Sequence, residues 1–65
     1  MEIEYGFYDD KLYIIIHGTH MNPWNWEVEE ETEDSFVLST ANIIPKDELE
    51  CMINEFKNQY RSLNN

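Results

Sequence analysis

The apolar residues of this chain change period once, and that change limits the possible fold more than any other feature. Up to Thr40 they alternate with polar residues or form one short β-branched run, whereas from Leu49 onward they recur at every third or fourth position. Met1, Ile3, Tyr5 and Phe7 alternate with Glu2, Glu4, Gly6 and Tyr8, which is the period of a half-buried strand. Residues 1–8 therefore read as strand one. Asp9-Asp10 supplies turn residues before a second β-rich run, so a hairpin into Leu12–His17 is expected. Leu12-Tyr13-Ile14-Ile15-Ile16 is apolar on both faces and rich in β-branched residues, which suits a central strand.

Gly18 to Pro23 ends that strand, because Pro23 lacks the donor a paired strand needs. Beyond it Trp24, Trp26 and Val28 alternate with Asn25, Glu27 and Glu29, which predicts a third strand. Thr32-Glu33-Asp34-Ser35 is a plausible turn into a fourth, Phe36–Thr40. Because Glu is disfavoured in strands, a loop over the acidic run is the alternative. Leu49, Met52, Ile53, Phe56, Tyr60 and Leu63 then form one helical stripe. Pro45 fits the first helical turn, Asp47, Glu48 and Glu50 lie early, and Lys57 and Arg61 lie late, as the helix dipole favours. Asn64 and Asn65 should fray.

The expected fold is α+β, with residues 1–65 as a single domain. A small antiparallel sheet of three to four strands, in the order β-β-β-β-α, carries one C-terminal amphipathic helix on one face. Met1, Ile3, Tyr5, Phe7, the Leu12 set, Trp26, Val28, Phe36 and Leu38 should meet Leu49, Met52, Ile53 and Phe56. At 65 residues such a domain buries only about 60% of its unfolded surface. With 42% hydrophobic and 14% aromatic residues, folding is nonetheless expected despite a formal charge of −10.

That charge is unevenly spread. The chain has 14 Asp and Glu against 4 Lys and Arg, with no basic residue between Lys11 and Lys46. Glu27, Glu29, Glu30, Glu31, Glu33 and Asp34 place six carboxylates within eight positions, directly after Trp24 and Trp26. A surface this negative repels nucleic acid and anionic membranes, and it attracts basic protein surfaces. As a strand, the run would project Glu27, Glu29 and Glu31 from one face at a repeat of about 6.8 Å, and Glu2 and Glu4 would do the same on strand one. These rows, with Glu33 and Asp34, are the candidate contacts for a basic partner. The alternative is a solvated face that guards a small β-protein against edge pairing. Tyr13, on the face of strand two away from Leu12, Ile14 and Ile16, and Trp24 are the candidate anchors. Trp26 reads as core, and Trp24 stands between core and contact.

No enzyme is expected. The chain has only Gly6 and Gly18, too few for a glycine-rich phosphate loop, and it has no nucleophile motif. Cys51 reads as partly buried packing, with Glu48 and Glu50 disfavouring a thiolate. One cysteine excludes an internal disulfide and points to a reducing compartment. His17-Gly18-Thr19-His20 matches no recognised zinc spacing, so no metal or other cofactor is expected. No apolar run reaches membrane-spanning length, and the start Met1-Glu2-Ile3-Glu4 lacks the regions of a signal peptide, so a cytoplasmic location is expected.

In overall character, very short, strongly acidic and aromatic-rich, the chain resembles small phage-encoded inhibitors of host proteins, DNA mimics included. The resemblance is one of composition and covers no motif. It implies a non-enzymatic binding protein that inhibits or modulates a basic nucleic-acid-binding protein. The alternatives are a structural or assembly module that homodimerises, and an immunity or antitoxin-like protein capping a basic toxin.

Overall fold

The computed structural model describes residues 2–63. Met1 and the fraying expected of Asn64 and Asn65 lie outside these residues, and the side chains of Ser62 and Leu63 are likewise not described. Strands β1 (Glu2–Tyr8), β2 (Lys11–His17), β3 (Glu27–Glu31) and β4 (Ser35–Thr40) precede one helix, α1 (Lys46–Leu63). The fold is α+β, as the change of period predicts. All pairings are antiparallel, and the strand order is β1-β2-β4-β3, so β2 and β4 are central.

β1 and β2 pair without a break from Glu2 opposite His17 to Tyr8 opposite Lys11. Asp9 and Asp10 close this hairpin with φ of 50° and 62°. Positive φ at both positions is what a two-residue turn needs to follow the twist of the strands, and Asp tolerates it better than most residues. At the other end of the chain, Pro45 provides the carbonyl that accepts the Leu49 N–H at 2.9 Å and so opens α1. Asp47 and Glu48 in the first turn and Arg61 in the last complement the dipole.

Period-two alternation divides the sheet into two faces. Leu12, Ile14, Ile16, Phe36 and Leu38 point to one side, where Leu49, Ile53 and Phe56 of α1 complete the buried core. The segment between β2 and β3 lies on this same side. β2 and β3 run in the same direction with β4 between them, so the chain must return along the sheet, and it does so beside the helix. Trp24 rests edge-on against Phe56, with ring centroids 5.5 Å apart, and lies tilted by 39° against Trp26 at 5.1 Å. His20 meets Phe36 at 5.4 Å.

The return segment changes the expected third strand. Pairing begins only at Glu27, because Pro23 and Trp24 form a turn closed by the Asn25 N–H and the Asn22 carbonyl, and Asn25 has a φ of 55°. Trp24 therefore lies outside the strand. The edge strands also hold less core than alternation suggests. Phe7 (53% exposed) and Val28 (49%) face the helix side but lie beyond what one helix covers, and Tyr5 (37%) stays partly exposed although its hydroxyl donates to the Glu50 carboxylate of α1 at 3.3 Å. Cys51, expected to be partly buried, is exposed, because the stripe set by Leu49, Ile53 and Phe56 turns it toward solvent.

Candidate functional site

Among the described residues, none forms a layer over the face of the sheet opposite α1. β2 contributes Lys11, Tyr13, Ile15 and His17, and β4 contributes Ser35, Val37 and Ser39. By the registers, Glu2, Glu4, Gly6 and Tyr8 on β1 and Glu27 and Glu30 on β3 belong to this face. Its centre is a half-buried apolar strip of Tyr13, Ile15 and Val37, and its two long edges carry carboxylates. The edges are three strand spacings apart, about 14 Å.

A β-bulge shapes the β3 edge. Val28 pairs with Leu38 and Glu30 with Val37, so Glu29 is the extra residue. Its carboxylate lies over the sheet and accepts a 2.8 Å hydrogen bond from the hydroxyl of Ser39. The row expected of Glu27, Glu29 and Glu31 is therefore replaced by Glu27, Glu29 and Glu30. Glu31, now opposite Phe36, moves to the register of the helix side. The run of glutamates carries no sign of this shift, because a bulge is defined by the pairing with β4.

Lys11 lies 3.8 Å from both Glu27 and Glu29, partly neutralising that end of the row. At the other end of β2, His17 Nε2 is 2.9 Å from Glu4 Oε2. His20 turns to the Thr32 carbonyl, 2.6 Å away. The two histidines thus have separate partners, and among the described residues no group of three His, Cys, Asp or Glu is placed to hold a metal ion.

Of the anticipated contact residues, Glu2, Glu4, Tyr13, Glu27 and Glu29 share the open face. Glu33 and Asp34 are exposed in the turn at its end, where the Asp34 carbonyl accepts the Gly18 N–H at 3.2 Å. Trp24 is not with them. It is half-buried on the helix side, held there by the returning segment, and belongs with the core packing.

Charge follows the same division. The strands and their turns carry ten of the acids against Lys11 alone, whereas α1 carries four, Asp47, Glu48, Glu50 and Glu55, against Lys46, Lys57 and Arg61. Nearly all of the net charge therefore lies in the sheet layer.

Two features go beyond what periodicity predicts. Asn22 uses its side-chain amide as a strand would use its backbone, donating to the Trp26 carbonyl at 2.7 Å and accepting from the Trp26 N–H at 3.0 Å. The nearby Pro23 marks a loop without indicating this clamp. Gly6 leaves the open face without a side chain at its position, and a depression of about 420 Å³ extends over it, bordered by Glu4, Tyr8, Tyr13, Ile15 and Val37. A glycine inside a strand is the available signal for such an opening.

Searches of protein-family models, curated proteins and solved structures find no match to this chain. No helix among the described residues is long and apolar enough to cross a membrane.

Proposed function

We propose that this chain is a small acidic binding protein that docks the open face of its sheet onto a basic protein surface, one that itself binds nucleic acid, and thereby inhibits or modulates it. The observation that carries this reading is the segregation of charge: ten carboxylates and one lysine in the sheet layer, with the helix almost balanced. Guarding the sheet edges would account for part of this bias, but Glu2, Glu4, Glu27, Glu29 and Glu30 stand together on one face around an apolar strip. The open face joins this potential to an apolar centre, the combination in which acidic groups steer association and buried aromatic groups hold the complex. Its two acidic edges, about 14 Å apart, are on the scale of the roughly 12 Å major groove of B-DNA. Tyr13 is the anchor, and Glu2, Glu4, Glu27, Glu29 and Glu30 form the rim.

The test is affinity capture at about 50 mM and about 300 mM salt, with duplex DNA and RNA added as competitors. A nucleic-acid-binding protein retained at low salt, lost at high salt and displaced by the competitor is the expected result. The double variant Glu2→Lys/Glu30→Lys should fold but lose the partner. Capture insensitive to salt, or untouched by both nucleic acids, defeats the proposal.

A further inference from the structure

The two edges of the sheet are built differently. β3 is short and interrupted by its bulge, a feature that discourages an edge from pairing with another strand. β1 has seven residues, no bulge, no proline and no lysine. Because its hairpin loop is the two-residue Asp9-Asp10 turn, Tyr8 and Lys11 form a hydrogen-bonded pair. Alternation from that pair directs the backbone N–H and C=O groups of Phe7, Tyr5 and Ile3 outward, away from β2. The side chains of these residues lie on the helix side, where Phe7 is 53% exposed and Tyr5, whose hydroxyl donates to the Glu50 carboxylate of α1 at 3.3 Å, is still 37% exposed. On the other face of β1, Glu4 stands beside the depression over Gly6.

Building on the reading of this chain as an acidic binding protein, we propose that β1 takes up an extended partner segment as a fifth strand, one in which apolar residues alternate with Lys or Arg. The segment's backbone pairs with the outward groups of Ile3, Tyr5 and Phe7. Its apolar side chains cover those residues on the helix side. Its basic side chains fall on the open face opposite Glu4 and Gly6, where one lays its aliphatic stem in the depression and brings its charge to the Glu4 carboxylate and the Tyr8 and Tyr13 rings. A shift of one residue would set cations against Phe7 and Tyr5, so the period of the segment is part of what is recognised. Charge also selects the occupant. A second β1 would bring further carboxylates to an edge that already carries Glu2 and Glu4, in a chain of net charge −10.

The probe is a short capped peptide alternating Val and Arg, titrated at low salt beside a peptide of the same composition with its Val and Arg in separate blocks. The alternating peptide should bind at least about tenfold more tightly, and it should slow amide hydrogen exchange at Ile3, Tyr5 and Phe7. Tyr5→Pro removes one outward donor while sparing the ladder to β2, and it should abolish that binding, whereas Tyr5→Phe should retain it, with circular dichroism verifying that both variants fold. Equal affinity for the two peptides overturns strand addition and leaves the acidic docking surface standing. Salt-sensitive capture of a nucleic-acid-binding protein without exchange protection on β1 has the same meaning. A dimer in ultracentrifugation that Tyr5→Pro dissolves assigns the edge to a second copy and overturns the proposal. Loss of both peptide binding and salt-sensitive capture defeats the underlying function as well.

Discussion

The hydroxyl of Ser39 donates a 2.8 Å hydrogen bond to the Glu29 carboxylate on the face of the sheet that no helix covers, and Ser39 is only 1% exposed there. A buried polar group on an uncovered face is unusual. It is possible here because the bulge in β3 brings Glu29 inward over β4, with Lys11 approaching the same carboxylate. Glu29 is therefore both part of the acidic rim and a structural partner of the sheet.

Replacing Glu29 separates those two roles. Glu29→Ala removes a negative charge from a crowded acidic edge, which alone would stabilise the fold, but it deprives a buried hydroxyl of its acceptor. The second effect is the larger, so a net loss of about 1 to 2 kcal/mol is expected. Ser39→Ala in the same background should recover part of that loss. Urea unfolding of the two single variants and the double variant measures the coupling, and a stabilised Glu29→Ala protein would show that charge repulsion governs this edge.

The turn between β1 and β2 can be improved. Asp9 and Asp10 both adopt positive φ and place adjacent carboxylates at a tip that already repels them. Asp10→Gly removes the steric cost of the left-handed conformation and one charge, and should raise stability by about 1 kcal/mol. Thermal unfolding checks this, and an unchanged or lower midpoint would contradict the geometry of the turn.

Asn22 anchors the returning segment through its two hydrogen bonds with Trp26. Asn22→Ala should cost about 2 kcal/mol, since it leaves a half-buried backbone N–H and C=O without their partners. The tryptophan emission should shift to the red as Trp24 and Trp26 loosen from the core. Asn22→Asp keeps the acceptor and loses the donor, so it should fall between the two. An Asn22→Ala protein with unaltered emission and stability would mean that packing against Phe56 alone holds the loop.

Cys51 provides a simple check on the orientation of α1. Its exposed thiol should react with a thiol reagent in the folded protein at a rate close to that of the unfolded chain. Cys51→Ser should change stability by no more than about 0.5 kcal/mol. A protected thiol would require the helix to be turned about its axis.

Much of the architecture is legible in the amino-acid order alone. The alternation in residues 2–8, the β-branched apolar run Leu12–Ile16, the turn residues at Asp9-Asp10 and at Thr32 to Ser35, and the stripe of Leu49, Ile53 and Phe56 specify three to four strands and one helix. Each signal is local, and each reflects where an apolar side chain must point to leave water. The central place of β2 is readable for the same reason, since a strand apolar on both faces needs neighbours on both sides.

The candidate site is legible only in part. Glu2, Glu4, Tyr13 and Glu27 take their face from simple alternation, and they lie where it puts them. Glu29 also reaches that face, as the extra residue of the bulge, whereas Glu30 and Glu31 exchange faces, because one extra residue in β3 reverses the parity of everything after it. Trp24 has the character of a partner contact, yet the return of the chain beside α1 commits it to Phe56. Which carboxylates share a surface, which aromatic rings are occupied internally and which strand edge is left open depend on contacts between segments distant in the chain. Periodicity along the chain determines the elements and their inner faces, whereas crossover, bulge and the reach of a single helix determine what the outer face presents.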